Sequence, residues 1–276
     1  MAISLDWFQC LVIAFLLLLP IIYELSTTFK YYAKFTFYYT VVMLLGVVVM
    51  IYGLWRPKDV NNYKFVAFFV KQIRKLFGIT VELRGSENLK SDDPYILVCN
   101  HQSSLDFFGM MEVWPERCTS LAKKELLYAG PFGPAAWLCG TIFIDRLNKD
   151  SAITTISRTV EIIKSKNVKV FVFPEGTRNH GGSMLPFKKG AFYLAVEAQV
   201  PIVPVVFSSL SDFYSKREKK FTTGKFIATC LPKISTEGLG KDDVENLTDR
   251  VRNSMLDMFN QTSLEATQGK MSNGSK

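Results

Sequence analysis

One stretch of the chain, residues 35–55, contains no charged side chain, and this feature most strongly restricts what the chain can fold into. As an α-helix these residues would extend roughly 30 Å, the thickness of the hydrocarbon core of a bilayer. We therefore expect a membrane-spanning helix here. Residues 7–23 are also apolar but contain Pro20, and for them three interpretations remain: they span the bilayer, lie tilted in it, or only dip into it.

Residues 59–78 combine large apolar side chains with lysine and arginine at spacings close to the helical period. The apolar members are Phe65, Phe68, Phe69, Ile73, Leu76 and Phe77. This pattern predicts an amphipathic helix at the membrane interface, with its cations directed toward anionic headgroups. The alternative is a helix that packs its apolar face onto the core of the domain that follows, and both interpretations fit the sequence.

After residue 78 the chain alternates short apolar runs with helical patterns, as expected for one α/β domain. The expected strands are residues 79–83, 95–99, 141–144, 168–173, 202–207 and 226–230, and the expected helices include residues 151–164 and 189–198. We predict a single α/β domain with a mixed sheet at residues 79–262, preceded by N-terminal membrane helices in residues 1–58. Residues 208–225 are expected to form a basic loop, and residues 263–276 a polar tail.

His101 and Asp106 follow the apolar run 95–99 and are five residues apart. In a continuous helix, residues five apart point about 140° away from each other, so the histidine must lie outside a helix if the two side chains meet. We expect His101 in a turn before a helix capped by Ser103 or Ser104, with Asp106 in its first turn. A carboxylate that fixes the tautomer makes such a histidine a general base. The alternative is a capped helix beside a surface histidine.

A second polar segment, Glu175, Gly176, Thr177 and Arg178, follows the apolar run 168–173. Arg178 can hold a phosphate through its planar fork, Gly176 lets the backbone approach closely, and Thr177 adds a hydroxyl donor. Glu175 would repel a phosphate, so we expect it to pair with Arg178 or another cation, or to accept a hydrogen bond from a substrate hydroxyl. The alternative is an Arg–Glu pair that only ties the loop.

Together these motifs resemble those of the glycerolipid acyltransferases, in which four blocks occur in order. The blocks here are H-x4-D at residues 101–106, the stretch at residues 140–146, E-G-T-R at residues 175–178 and the V-P-I-V-P-V run at residues 200–205. Residues 123–126 are similar to the K-x-E-L element of that family. The run at residues 173–190 is similar to the animal 1-acylglycerol-3-phosphate acyltransferases of the endoplasmic reticulum, most closely the alpha type. The resemblance covers about residues 60–260.

The resemblance implies transfer of an acyl group from acyl-coenzyme A to the sn-2 hydroxyl of lysophosphatidic acid, giving phosphatidic acid. It also implies that His101 is the general base with Asp106 as its partner, and that residues 175–178 bind the acceptor, Arg178 taking its phosphate. Physical reasoning agrees, because a thioester is already activated and needs chiefly a deprotonated hydroxyl, positioning and a stabilised oxyanion. No covalent intermediate is required. The sequence does not identify the oxyanion donors, for which backbone amides of the turn after His101 are one candidate.

Lys123 and Arg146 are further candidates for the same anionic pocket. Each is also interpretable as a surface charge at a strand end. His180 follows the Arg178 loop, but it has no paired Cys, Asp or His at ligand spacing, so we expect no metal site. We expect no permanently bound cofactor, because acyl-coenzyme A enters as a co-substrate.

The formal net charge of +8 favours attraction to anionic membrane lipids and to an acidic nucleotide donor. The sequence resembles no nucleic-acid-binding module, so nucleic acid is not expected as a partner. The five scattered cysteines are an odd number, which is typical of reduced thiols. Reduced thiols favour a catalytic domain that faces the cytosol, and the resemblance implies an integral protein of the endoplasmic reticulum membrane.

Two rival interpretations remain. Within enzymes, the acceptor is glycerol 3-phosphate or another lysophospholipid, because the pocket chemistry would be similar. In a different class, the chain is a non-catalytic lipid-binding membrane protein that has kept the fold. The intact His–Asp pair and the intact Arg loop argue against this second rival, since loss of either is the sign expected of an inactive relative.

Overall fold

A computed structural model describes residues 6–145 and 148–273 of the 276-residue chain. The helices are α1 (Trp7–Leu25), α2 (Thr27–Gly53), α3 (Asn62–Leu76), α4 (Asp106–Glu112), α5 (Phe132–Leu138), α6 (Lys149–Lys166), α7 (Gly190–Ala198) and α8 (Val244–Asn273). The strands are β1 (Ile79–Arg84), β2 (Ile96–Cys99), β3 (Cys118–Lys123), β4 (Ile142–Ile144), β5 (Lys169–Val172), β6 (Ile202–Phe207), β7 (Tyr214–Ser215), β8 (Lys220–Phe221) and β9 (Gly224–Cys230).

Seven strands form one mixed sheet in the order β1-β9-β6-β2-β5-β3-β4. The strands from β6 to β4 pair in parallel, whereas β9 pairs antiparallel with β6 and β1 pairs in parallel with β9. The predicted α/β class with a mixed sheet is confirmed. Because β2 and β5 are parallel neighbours, the segments that follow them meet at one edge of the sheet.

Helices cover both faces of the sheet, and the alternation along β2 shows which side chains point to each face. Leu97 and Cys99 belong to a core that they share with α2, α3 and α4. Ile96 and Val98 belong to a second core on the opposite face, with α6, α7 and α8. All four side chains are fully buried. A strand that is buried on both faces reads as a continuous apolar run, which is why the sequence reveals it.

The two N-terminal helices are long and apolar enough to cross a membrane, with 19 residues in α1 and 27 in α2. They indicate that the chain associates with a membrane. The two helices differ in their packing, because α1 buries none of its side chains. The buried side chains of α2 form part of the first core and include Tyr31, Phe35, Tyr38, Leu45 and Val49. Thus α2, which begins at Thr27 rather than at the predicted residue 35, is also a structural part of the domain.

The amphipathic segment forms α3, and each of the two interpretations describes one side of it. Tyr63, Val66 and Val70 are buried in the core shared with α2. Phe68 and Leu76 are 60% and 68% exposed. The helix therefore packs onto the domain and leaves an apolar surface that a lipid interface can accept.

Several elements lie outside the sequence-based prediction, among them β3, α5 and α8. Residues 208–225, predicted as a loop, contain the antiparallel hairpin of β7 and β8. The expected polar tail is helical from residue 263 to Asn273, because it continues α8. That helix is held by a buried apolar stripe at helical spacing, formed by Val244, Leu247, Val251, Met255 and Phe259.

Deleting α1 and deleting both N-terminal helices are expected to have different results. Removal of residues 1–25 takes no buried side chain from the described chain, so the domain should stay folded and membrane-bound through α2. Removal of residues 1–58 strips five large buried side chains of α2 from the core, each contributing roughly 1.5–3 kcal/mol. Their sum is comparable with the total stability of about 5–15 kcal/mol that is usual for a folded domain.

Thermal melting in detergent and flotation with liposomes test this difference. We expect the protein lacking residues 1–25 to melt near the full-length temperature and to float, and the protein lacking residues 1–58 to aggregate. A cooperative transition at the full-length temperature in the shorter protein would contradict the structural role of α2.

Candidate active site

His101 and Asp106 lie close together at the carboxyl edge of β2. His101 lies in the loop after this strand, and Asp106 is the first residue of α4. Nδ1 of His101 and Oδ2 of Asp106 are 2.7 Å apart. Asp106 is buried, whereas the His101 side chain keeps 19% of its surface exposed. The structure therefore brings the two predicted residues together, with the histidine outside the helix, as their spacing requires.

The carboxylate of Asp106 gathers three N–H donors on one oxygen. Oδ2 lies 2.7 Å from Nδ1 of His101, and it accepts from the amide N–H of Gln102 at 2.6 Å and of Ser103 at 2.9 Å. An ionised carboxylate only accepts hydrogen bonds, so Nδ1 of the neutral imidazole carries the proton. In the described part of the chain no group hydrogen-bonds to Nε2 of His101. Nε2 is therefore the ring nitrogen that can take a proton from a substrate.

One expectation about this turn is wrong. Neither Ser103 nor Ser104 caps α4 with its side chain, because the first amides of the helix donate to the backbone carbonyl oxygens of residues 103–105. The amides of Gln102 and Ser103 are not available to an oxyanion, because Asp106 accepts both of them.

Two amide side chains fix the loop that carries His101. Nδ2 of Asn100 donates to the carbonyl oxygen of Phe207 at 2.9 Å, and Nε2 of Gln102 donates to the same oxygen at 3.1 Å. The imidazole of His101 also stacks on the ring of Phe173, with centroids 4.0 Å apart. Asn100 and Gln102 have no motif of their own, and their position on either side of His101 is the signal in the sequence that points to them.

Glu175 connects the two motifs through backbone amides. Oε1 of Glu175 accepts from the amide of His101 at 2.6 Å, and Oε2 accepts from the amide of Leu185 at 2.9 Å. Burial raises the pKa of the Glu175 carboxyl, while these two hydrogen bonds act to lower it. The expected pair with Arg178 is therefore not formed, and a substrate hydroxyl would compete with amides already bound. The buried carboxylate instead holds the backbone of His101.

Replacing Glu175 by glutamine is expected to lower kcat by about tenfold or more and the melting temperature by roughly 3–10 °C. The physical reason is that one of the two amides then faces the NH2 group of glutamine and loses its acceptor. The assays are steady-state kinetics and thermal melting, with Glu237→Gln as a control for the same chemical change at an exposed residue. Unchanged kcat and stability in Glu175→Gln would show that this connection does not position His101.

Arg178 lines a cavity of about 320 Å³ beside the His101 loop. Its wall includes Tyr31, Phe35, Tyr39, Ser104, Arg178 and Lys216. Arg84 pairs with Glu265 elsewhere in the protein, but no carboxylate of residues 6–145 and 148–273 pairs with Arg178. The amide of Asn179 donates to the carbonyl oxygen of His101 at 2.8 Å, which holds the two loops side by side. The guanidinium is thus available to an anion near the loop of His101.

Gly176 and Thr177 are the other two residues of the Arg178 loop that were predicted to bind the acceptor. Gly176 is buried and has φ of 71°, a left-handed conformation that glycine adopts without strain. Thr177 is exposed. Their contact with a substrate stays a prediction.

The structure places one of the two further cation candidates. Lys123 is exposed at the end of β3, at the same edge of the sheet as the ends of β2 and β5, and it is in register with Ile144. Arg146 lies outside the described residues. Binding of substrate by either residue therefore stays a prediction. Within the described ranges, no group of three or more His, Cys, Asp and Glu side chains could hold a metal ion.

Helix α2 contacts the loop that carries His101 directly. The hydroxyl of Tyr38 donates to the carbonyl oxygen of Ser104 at 2.7 Å, and the hydroxyl of Tyr39 donates to Oγ of Ser104 at 3.0 Å. A second, apolar cavity of about 510 Å³ shares Thr36 and Tyr39 with the first and continues along α2 past Met43. A helix that the sequence marks as a membrane span is thus also one wall of the site.

Comparisons with known proteins agree with this geometry. The sequence model of the family described as Acyltransferase matches residues 80–208. The chain is 49% identical to 1-acyl-sn-glycerol-3-phosphate acyltransferase alpha of Homo sapiens, over 91% of this chain and 89% of that protein. It is 42% identical to the human beta enzyme, over 92% of both chains. It is 41% identical to the 1-acyl-sn-glycerol-3-phosphate acyltransferase of Saccharomyces cerevisiae, over 68% of this chain and 63% of that protein.

A solved structure shares the fold. The crystal structure of the 1-acyl-sn-glycerophosphate acyltransferase PlsC from Thermotoga maritima is similar with a TM-score of 0.62 and 23% sequence identity. The similarity covers 84% of this chain and 95% of that one. Identity near one half over most of the length of the human relatives goes further than a shared fold, so this chain belongs to the 1-acyl-sn-glycerol-3-phosphate acyltransferase family of enzymes.

Proposed function

We propose that this chain transfers an acyl group from acyl-coenzyme A to the sn-2 hydroxyl of 1-acyl-sn-glycerol 3-phosphate, producing phosphatidic acid. One observation carries the proposal: the loop of the hydrogen-bonded pair of His101 and Asp106 is itself hydrogen-bonded to the loop of Arg178, which no carboxylate in the described ranges neutralises. The base suits a hydroxyl, and the free guanidinium suits a phosphate. The names of the human alpha and beta relatives support the same acceptor.

The proposed reaction is a direct transfer. Nε2 of His101 takes the proton of the acceptor hydroxyl as its oxygen attacks the thioester carbonyl carbon. Asp106 stabilises the imidazolium that forms and keeps its orientation. The carbon–sulfur bond then breaks, and the thiolate of coenzyme A takes the proton from the imidazolium. Acyl-coenzyme A is a co-substrate in this scheme, and no permanently bound cofactor takes part.

The two cavities suggest how the acceptor lies. We place its phosphate on Arg178 and its sn-2 hydroxyl at His101, since the bond from the Asn179 amide to the His101 carbonyl keeps the two loops together. We place its acyl chain in the apolar cavity along α2, past Thr36 and toward the membrane. Charged and apolar ends of a lysophospholipid would then each meet a matching surface.

We further propose that the protein is integral to the endoplasmic reticulum membrane with its catalytic domain in the cytosol. The two apolar helices and the exposed apolar side of α3 support membrane attachment. All five cysteines are free thiols, which suits a reducing compartment. Protease protection of sealed microsomes tests the orientation: cytosolic exposure predicts digestion of the domain, and full protection would contradict it.

Two other functions compete with this one. Glycerol 3-phosphate or a different lysophospholipid could present a hydroxyl and a phosphate to the same residues. A non-catalytic lipid-binding role would leave the geometry of His101 and Asp106 without a use. The orientation of the carboxylate, which three N–H donors fix, favours catalysis over mere binding.

Acyl transfer from labelled acyl-coenzyme A to a panel of acceptors distinguishes these functions. The panel contains 1-acyl-sn-glycerol 3-phosphate, glycerol 3-phosphate, lysophosphatidylcholine and 1-acylglycerol, with full-length protein in neutral liposomes. We expect the highest kcat/KM for 1-acyl-sn-glycerol 3-phosphate, and label at the sn-2 position of phosphatidic acid. Preference for another acceptor would overturn the substrate assignment, and transfer to none would favour the binding protein.

A further inference from the structure

The hairpin of β7 and β8 supplies part of the wall of the cavity that holds Arg178. Tyr214 and Lys216 line this cavity together with Arg178. The hairpin lies in the chain between β6 and β9, after the residues of every acyltransferase motif block. None of the residues that line the cavity, within the part of the chain that the structure describes, is acidic. An anion in this cavity would therefore meet cations from two separate elements.

Lys216 and the residue that follows it differ in their distance from a carboxylate. Arg217, the next residue, lies 3.8 Å from a carboxylate oxygen of Glu218 and is 93% exposed. In residues 6–145 and 148–273, no carboxylate lies within ion-pairing distance of Lys216. Two cations without carboxylate partners, Arg178 and Lys216, thus line one cavity. Surface cations with no partner are common, but two that share a concave wall concentrate positive potential there.

Contacts with α2 hold the hairpin in place. Nζ of Lys34 donates to the carbonyl oxygen of Phe221 at 2.9 Å. The ring of Phe35 lies 5.0 Å from that of Phe221 and 5.7 Å from that of Tyr214, measured between centroids. Nζ of Lys219 lies 5.6 Å from the ring centroid of Tyr31. These contacts involve residues of the hairpin on both sides of Lys216. Packing against α2 therefore sets the position of Lys216 relative to the cavity.

The imidazole of His180, which lines the same cavity, responds to both cations. Burial lowers its pKa most, and the positive charges of Lys216 and Arg178 lower it further. Its ring lies 6.1 Å from that of Tyr214 on the hairpin. The positive charges of Lys216 and Arg178 therefore both act at the position of His180 in the cavity, and a phosphate bound there would meet both charges.

We infer that Lys216 is a second phosphate-binding residue, which acts with Arg178 to select acceptors that carry a phosphate monoester. The inference rests on the proposed function, since it assigns a further contact in the same site. Arg178 would bind the phosphate through its planar guanidinium, and Lys216 would add a point charge from the hairpin of β7 and β8. In this arrangement α2 contributes to acceptor selection, because it fixes the hairpin.

Steady-state kinetics of Lys216→Ala and Arg217→Ala test the inference as a matched pair. Both substitutions remove one positive charge from the same hairpin, but only Lys216 lines the cavity. With full-length protein in neutral phosphatidylcholine vesicles, Lys216→Ala should raise the KM for 1-acyl-sn-glycerol 3-phosphate about tenfold, as for one charge-assisted hydrogen bond. The KM for acyl-coenzyme A should not change. Lys216→Arg should restore most of the loss, and Arg217→Ala should match wild type.

An acceptor without phosphate and vesicles of different charge show whether Lys216 binds phosphate of the acceptor, of acyl-coenzyme A or of membrane lipids. Lys216→Ala should leave the residual rate with 1-acylglycerol, which has no phosphate, unchanged. A raised KM for acyl-coenzyme A alone would overturn the inference, because Lys216 would then bind the donor. An effect that appears only in anionic vesicles would overturn it in favour of membrane attraction, and equal KM values for Lys216→Ala and wild type would remove Lys216 from the site. If wild-type protein does not acylate 1-acyl-sn-glycerol 3-phosphate at all, the proposed function itself is contradicted.

Discussion

Replacing His101 by alanine is expected to lower kcat by about 10²- to 10⁴-fold, with little change in the KM of the acceptor. The alanine variant lacks the only group in the proposed scheme that takes the proton of the hydroxyl. The phosphate contacts of the acceptor are untouched, so binding should survive. The measurement is acyl transfer to 1-acyl-sn-glycerol 3-phosphate by purified full-length protein, whose fold is checked by thermal melting. Turnover near the wild-type value in folded His101→Ala protein would remove His101 from the mechanism.

Asp106→Asn is the companion variant. Asparagine has the same shape but no negative charge, so its oxygen holds Nδ1 of His101 and the amides of Gln102 and Ser103 more weakly and does not stabilise an imidazolium. We expect a loss of kcat comparable with that of His101→Ala, and a lower melting temperature as well. Asp249→Asn makes the same chemical change at an exposed residue and should match wild type. A fully active Asp106→Asn would show that the histidine needs no ionised partner.

Replacing Arg178 by alanine is expected to lower kcat/KM for the acceptor roughly 30-fold or more, which corresponds to about 2 kcal/mol for a truncated charged contact. The effect should appear mainly as a raised acceptor KM, with little change in the KM of acyl-coenzyme A. Arg178→Lys keeps the charge but loses the bidentate fork, so its loss should be smaller than that of alanine. Measuring both KM values for each variant checks the assignment.

Arg250→Ala is a matched control, because it removes the same side chain from an exposed position on α8. Its kinetics should equal those of wild type. If Arg178→Ala instead weakens the donor and spares the acceptor, the Arg178 loop binds phosphates of coenzyme A. The positions of the two substrates would then be reversed.

The sequence predicted the parts of the site that depend on local chain order. The runs before His101 and Glu175 are strands buried on both faces, and such strands appear in a sequence as continuous apolar stretches. The spacing of His101 and Asp106 then required a turn between strand and helix. Because the two strands are parallel neighbours, both polar segments begin at the same edge of the sheet. The observed register of β2 and β5 shows this.

The sequence did not predict contacts that join distant segments. The bond from the His101 amide to Glu175 spans 74 residues, and the contact of Tyr38 with Ser104 spans 66 residues. The charge of Glu175 alone predicted a cation as its partner. In the structure the carboxylate is buried between two loops, and its oxygens accept hydrogen bonds from backbone amides. The apolar character of α2 likewise has two causes, membrane contact and packing onto the domain, and composition does not separate them.

Single-turnover kinetics test the central claim of direct transfer most directly. Enzyme in excess is mixed with labelled acyl-coenzyme A, either alone or with 1-acyl-sn-glycerol 3-phosphate, and the products are quenched over time. Direct transfer predicts that coenzyme A is released only when the acceptor is present, at the rate at which labelled phosphatidic acid appears, and that no label is found on the protein. A burst of coenzyme A without acceptor, with label covalently bound to the enzyme, would contradict the account.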